Sequence, residues 1–537
     1  MIIGKKIKTI FNKRTTSKLI IAAFLFVVIV IPIVRMLFNI NLTSIKSVFG
    51  FKNFYDYLLN SFTSTILASI ITIVIGYSLA WSINRTNLKF KNIFSLIITL
   101  PMLIPSISHG MGLIILFGNN GIITKLFGLS STIYGFWGVV LGSVIYSFPI
   151  AFIMILDILK YEDHLSYEAA DVLGISKIRQ FTSITLPYMR KPMISVAFAV
   201  FTMIVTDYGV PLSVGGKFKT LPVMLYEESA GQLNYSVGSV IGLVLLIPAI
   251  VAFVFDLSNK DKGKNSFVQK EYQKRSIKNE IIGYLIVGIT SAFVLLIIFS
   301  FMIQAFVKSY PSDLSFTWYN FKNTFSKNGG KYLVNSIIIS LLTSIIGVLF
   351  SGGTAYLTVR LKSHFSKLLH LMAIMSLSIP GLVLGLSYVI LFKSTFFYGT
   401  IIILIMVNTV HFLASPYLMI YNAFGKLNEN LEDVGHVLGI KRKRIIFDVI
   451  VPQCKNTFIE MFSYFFVNSM MTISAVAFLA TSSNKPISLL INQFETYNMM
   501  ESAAVVALLI LASNLALKGL LYLIKKVGNK HDNKKTI

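Results

Sequence analysis

The residues of this chain best placed to do chemistry are polar groups set inside long apolar runs. His109 follows Pro105, with Ser106 and Ser108 beside it; Asp207 and Tyr208 stand late in another run; Asn408 and His411 share a third, and Asn468 lies in the next. Burying such groups in hydrocarbon is costly unless they are paired, so each is a candidate for lining a solute pathway or for a hydrogen bond between helices. A proline-broken run can also aim unpaired backbone groups into a pathway. Asp207 is the sharpest of the set. It is a lone carboxylate with no Lys or Arg nearby in its own run, although Tyr208-Gly209-Val210-Pro211 also reads as a helix end. Asp207, Tyr208, His109, Asn408 and His411 are therefore the candidate pathway residues.

Enzyme constellations are missing from the sequence. It contains no His-Glu-x-x-His and no Gly-x-Ser-x-Gly, and its seven histidines are scattered. A nucleotide-binding Walker A loop needs Gly-Lys followed by Ser or Thr, and Gly216-Lys217-Phe218 and Gly263-Lys264-Asn265 both fail that test. The single cysteine, Cys454, excludes an intrachain disulfide and a cysteine-based zinc site. The chain is expected to be no enzyme and to bind no cofactor or metal of its own.

A different pattern occupies residues 168–187, Glu-Ala-Ala-Asp-Val-Leu-Gly-Ile-Ser-Lys-Ile-Arg-Gln-Phe-Thr-Ser-Ile-Thr-Leu-Pro. Glu168 to Leu173 is helix-forming with acids in its first turns, and Gly174 suits a left-handed C′ position. A second helix is expected from about Ser176, its N-cap, to Pro187. Two short helices meeting at a glycine make a compact knob.

The elements that hold these residues follow from composition. The chain has 537 residues, 55% hydrophobic and 13% charged, with a mean hydropathy of +0.74, which places it in a lipid bilayer. Twelve apolar runs are long enough to cross: 19–38, 57–83, 93–117, 132–156, 193–214, 236–256, 281–306, 332–357, 367–392, 397–422, 457–480 and 503–525. Helices satisfy their own backbone groups, so the expected fold is all-α, a polytopic membrane protein of about twelve transmembrane helices. The first run lacks a small-residue cleavage site and is expected to stay as an anchor. With the N-terminus cytoplasmic, about 35 of the 48 Lys and Arg fall in cytoplasmic segments, which predicts both termini inside. The net charge of +26 is then a membrane-surface feature facing anionic lipid, and nucleic acid is not expected as a partner.

The chain also repeats itself. Asn60-Ser61 matches Asn335-Ser336, and at the same offset Ala80 meets Ala355, Arg85 meets Arg360, Pro105 meets Pro380 and Gly110 meets Gly385. Past a short deletion, Pro149 pairs with Pro416 and Gly174 with Gly439. Generic Leu/Ile runs do not share Arg, Pro and Gly positions, so the halves are a duplication. The expected units are 1–256, with its knob in 160–192, a polar basic cytoplasmic linker 257–280, and 281–537, with a second knob in 424–456. Six spans in each half make the two copies run parallel.

Residues 168–187 resemble the EAA loop of ABC importer permeases at every defining position, Glu168, Ala169, Ala170, Gly174, Ile184, Leu186 and Pro187. The second half carries a worn copy: Asp433-Val434-Gly435 in place of Glu-Ala-Ala, Gly439 kept, and Val449-x-Val451-Pro452 in place of Ile-x-Leu-Pro. The resemblance implies a fused two-half permease whose knobs dock on two copies of a separate cytoplasmic ATPase, where ATP and Mg would bind. It also implies an extracytoplasmic solute-binding protein. The segment Asp207-Tyr208-Gly209-Val210-Pro211 with Gly215-Gly216 is similar to the permeases of ferric-iron and 2-aminoethylphosphonate importers. From it a phosphonate is the expected substrate and ferric iron the alternative, with polyamines calling for more intramembrane carboxylates. A twelve-helix secondary transporter is the rival of another class, and a membrane assembly protein without transport is a further one.

Overall fold

The computed structural model describes residues 13–128, 133–162, 165–259, 276–363 and 365–535. The core of the expected linker, 260–275, lies outside them. Among the described residues nine helices are long and apolar enough to cross a membrane, and eleven if two bent pairs each count as one span. The only strands among the described residues are a short antiparallel pair, Val307–Ser309 with Asp313–Phe316.

Five of the twelve expected runs are not simple spans: 93–117, 193–214, 367–392, 397–422, which bends by 52° between Ile401–His411 and Ala414–Gly425, and 457–480. The run 93–117 is Lys91–Thr99, a tight turn Leu100–Leu103, an extended Ile104, and then Ser106–Phe117. Its repeat mate in 367–392 breaks at the same place, with Phe365–Ser378 and Gly381–Phe392 meeting at 106°. The residue before a proline is pushed out of the α region, and Ile104 (φ −125°, ψ 150°) and Ile379 (φ −106°, ψ 113°) stand before Pro105 and Pro380. The run 193–214 stops at Val205 and restarts as Gly209–Val214. The run 457–480 ends at Met471 after 17 residues, about 25 Å of helix against about 30 Å of hydrocarbon.

The Asn-Ser pairs that begin the repeat do the same work twice. Asn60 Nδ2 donates to the Lys219 carbonyl at 3.0 Å, and Asn335 Nδ2 to that of Lys485 at 3.3 Å. Ser61 Oγ accepts from Leu221 N–H at 2.8 Å, and Ser336 Oγ from Ile487 N–H at 2.7 Å. Each pair pins a late re-entrant segment to the long second helix, and so fixes the end that carries the pathway candidates.

The halves exchange their first helices. Thr16–Phe38 lies against the second half: Tyr388 donates its hydroxyl to the Val28 carbonyl at 2.7 Å, and Phe24 packs on Phe350 at 5.3 Å. Lys18, 1% exposed, donates to Ser363 and Ser366 Oγ at 2.7 and 2.9 Å and to the Leu361 carbonyl. In return Ile277–Phe306 lies on the first half, where Tyr284 Oη accepts from Lys89 N–H at 2.8 Å and Gly112 packs against Ile297 and Phe301. One hydrophobic core therefore runs through both halves.

Candidate functional site

Both knobs close on a glycine in the left-handed region, Gly174 at φ 68° and Gly439 at φ 70°. In the first, Ile175 N–H donates to the Ala170 carbonyl at 2.9 Å and Gly174 N–H to that of Asp171 at 3.1 Å. The second repeats it, Ile440 to Gly435 at 2.8 Å and Gly439 to His436 at 3.1 Å. This is the Schellman pattern, which satisfies the last carbonyls of the short helices Leu165–Val172 and Leu431–Val437. Each knob then presents exposed apolar side chains, Val172, Leu173 and Ile178 in one and Val437, Leu438 and Phe447 in the other.

The worn copy has a packing reason. Ala170 is buried beside Gln180, whose amide donates to Asp171 Oδ1 at 2.7 Å and to the Ile175 carbonyl at 2.9 Å. In the second knob Ile445 takes the place of Gln180, and a Cβ on Gly435 would stand 2.2 Å from its Cδ1. The alanine methyl is exchanged for an isoleucine methyl. Glu168, Ala169 and Asp433 are exposed; Ile184 is half-buried, and Leu186, Pro187 and Pro452 are exposed on the following helix.

Pro187 does not end that helix. The segment Lys177–Val205 is continuous, and a wide π turn, Phe181–Thr185, precedes the proline. Ile446–Ile450 does the same before Pro452. Widening the turn accommodates a residue that lacks an N–H and whose ring would strike the carbonyl four residues back. Ser176 stands at the N-cap position, with no side-chain cap bond.

Arg85 and Arg360 tie the knobs to the bundle, a role that motif reading missed although both stood out as shared positions of the repeat. Arg85, at the end of Phe54–Arg85, pairs with Glu162, which also accepts from the Tyr167 hydroxyl. Burial and Glu162 push the Tyr167 hydroxyl above its ordinary pKa, so it stays a donor. Arg360 pairs with Glu432 on the second knob, its Nε 2.9 Å from Oε1, and also donates to the Leu427 and Asn428 carbonyls at 3.2 and 2.7 Å. Both pairs are almost fully buried, so removing one partner strands a charge.

Of the pathway candidates, the structure brings His109, Asp207 and Tyr208 together and sets His411 on the facing half. Asp207 accepts from Val210 N–H at 3.0 Å, with the Ser106 hydroxyl and Gly209 N–H as further donors, so it caps Gly209–Val214. His109 Nδ1 lies 3.2 Å from the Ser106 carbonyl, and its Nε2 has no partner among the described residues. Tyr208 stacks on Tyr226 at 4.9 Å and donates to the Ile473 carbonyl of the other half at 3.3 Å. Beside Ile473, Ser474 meets Gly381, and His411 Nε2 lies 3.1 Å from the position of a Cβ on that glycine. Asn408 is spent on a helix-to-helix bond, its amide 2.8 Å from Ser469 Oγ. A cavity of about 10 Å3, lined by Asp207 with hydroxyls of Ser61, Ser64, Thr65, Ser143 and Thr220, has room for about one water. Among the described residues no three His, Cys, Asp or Glu side chains converge as metal ligands.

Residues 72–260 and 345–526, more than half of the chain, match the family model of the binding-protein-dependent transport system inner membrane component. The chain belongs to this family. As an ABC importer permease it carries both matched segments in one polypeptide, the fused two-half form. The putative ferric transport system permease protein FbpB 1 of Haemophilus influenzae is 25% identical over 455 residues, 80% of this chain and 72% of that protein. The ferric transport system permease protein FbpB of Actinobacillus pleuropneumoniae is 26% identical over 449 residues, 79% of this chain and 65% of that protein. The molybdenum permease ModB of Azotobacter vinelandii is 25% identical and aligns with 36% of this chain and 90% of its own length. These similarities lend no support to the phosphonate expected from the Asp-Tyr-Gly-Val-Pro segment. Permeases of this family work with an ATPase and a binding protein, and they are multi-pass inner-membrane proteins.

Proposed function

We propose that this permease forms the pathway for ferric iron. The observation that carries the reading is the pair of ferric transport permeases aligned with about four fifths of the chain. The chemistry of the centre suits it: the Asp207 carboxylate and the hydroxyls of Tyr208 and Tyr226 are hard oxygen groups grouped where the two halves meet. Iron is the cargo here, handed on by weak contacts.

In this reading each knob receives one copy of an ATPase, which holds ATP and Mg, and this chain binds neither. The knobs, both termini and the linker face the cytoplasm, and a binding protein delivers iron at the opposite face. Cells expressing the chain with its ATPase and binding protein should take up radioactive ferric iron, and deleting the chain should abolish that uptake. Uptake of 2-aminoethylphosphonate in place of iron would overturn the substrate and leave the permease.

A further inference from the structure

At the knob end of the second half a cavity of about 610 Å3 opens between residues 360–363 and 366–367 on one side and the end of Ala414–Gly425 on the other. Five basic side chains gather on or behind its wall. Arg360 is committed to Glu432, and Lys362 to Glu429 at 2.9 Å. Lys367 lines the cavity and has no ion-pair partner among the described residues, and His370 stands next to it. Lys18 lies behind the turn. Its ammonium reaches Ser363 Oγ at 2.7 Å and Ser366 Oγ at 2.9 Å, so both serine oxygens act as acceptors. Each serine then keeps its own hydroxyl proton to donate, and no acceptor takes either proton among the described residues. The positive end of the ten-residue helix Phe365–Ile374 opens at the same place.

Donors without acceptors, beside an unpaired ammonium, are a receptor for an oxyanion. The rest of the wall carries the rings of Tyr421 and Phe424 with Thr358 and the Glu429 carboxylate that Lys362 pairs, and the volume far exceeds a bare phosphate. The first half does not repeat it: at the repeat offset Ser363 becomes Leu88 and Lys367 becomes Asn92, and Tyr284 covers that turn. We propose that this cavity is a binding site for a phosphate-type oxyanion, the headgroup of an anionic phospholipid, held by Lys367, Ser363 and Ser366. Its wall includes Arg360, the last residue of the candidate span Gly329–Arg360, and it does not depend on the transported substrate.

The test uses the full-length chain in neutral detergent, with binding read by native mass spectrometry and by thermal stability. Phosphatidylglycerol should bind saturably and raise the unfolding temperature, and phosphatidylcholine should not. Lys367→Gln should weaken phosphatidylglycerol binding about fivefold, the worth of one lysine at a headgroup. Ser363→Ala should weaken it further, while Lys217→Gln, remote from the cavity, should change nothing. Protection by millimolar inorganic phosphate without any by phosphatidylglycerol would keep the oxyanion site and overturn its lipid source. Equal binding by the parent and Lys367→Gln, or equal binding of phosphatidylcholine, would overturn the site.

Discussion

Tyr208 donates its hydroxyl to the backbone carbonyl of Ile473, and at the spacing that relates Gly174 to Gly439 these two residues are repeat mates. The halves thus touch at equivalent points, across the pseudo-two-fold that relates them, with a side chain on one side and a carbonyl on the other. Tyr208→Phe leaves a buried acceptor unmet and should cost about 1 kcal/mol. We expect a lower unfolding temperature and uptake reduced several-fold at unchanged expression. Unaltered uptake would remove this bond from the transport cycle.

The knob glycines are a conformational matter alone, since a Cβ on Gly174 or Gly439 meets nothing within 4 Å. A β-branched residue there carries the left-handed penalty of about 1–2 kcal/mol. Gly174→Val should abolish uptake with the protein still in the membrane, Gly439→Val should act similarly, and Glu168→Ala should be milder. Gly174→Asn, which tolerates this backbone, should keep most uptake. Copurification of the ATPase with each variant separates lost docking from lost coupling.

Gly435 and Ile445 are a steric pair. Gly435→Ala should cost about 1–3 kcal/mol by overpacking, read as a lowered unfolding temperature. Adding Ile445→Val removes the Cδ1 that the new methyl would strike, so the double variant should recover much of the loss. Additive losses would contradict the pairing.

Glu495, in the short helix Ser488–Thr496 outside the spans, has its carboxyl pushed up to about 8 by burial, with Tyr134 nearby. Its raised pKa means the folded state holds a proton the unfolded chain releases near 4.5. Its stabilising contribution is full below that value and is lost as pH rises through about 8. The unfolding temperature of the parent should therefore fall relative to Glu495→Gln between those limits. Parallel curves would place the carboxyl in water.

Orientation has a direct check. With Cys454→Ser as background, Lys217→Cys should react with an impermeant thiol reagent in intact cells. Ser176→Cys, on the first knob, should react only after permeabilisation. The reverse pattern would invert the proposed topology.

Sequence reading found the knobs because their determinants are local: a glycine with φ above zero, helix formers before it, a fixed spacing after it. It found the repeat because Asn, Arg, Pro and Gly stand out against apolar background. It ran spans through Pro105, Pro211 and Pro380 alike, noting only that a proline can break a run and that Tyr208-Gly209-Val210-Pro211 reads as a helix end, because hydropathy does not register a change of backbone direction. The Arg85–Glu162 and Arg360–Glu432 pairs were out of reach for a subtler reason. In the second half the carboxylate stands at the position Tyr167 holds in the first, so the repeat conserves the link and exchanges the residue that makes it. Gly209 against Ser106 and Ser474 against Gly381 show the same exchange at the centre: one small residue and one hydroxyl at each contact, with their owners swapped.

The exchange of first helices sets a timetable for synthesis. Lys18 emerges from the ribosome long before its docking turn, since Leu361 lies 343 residues further on. At 5–20 residues per second that is a wait of roughly 20–70 s. Through this interval the opening helix of the nascent permease stands in lipid or translocon without its final neighbours, its one deep ammonium unserved by the turn that will hold it. A chain stalled anywhere before residue 361 is therefore left with an unseated first span, and that is the species a membrane quality-control protease would meet.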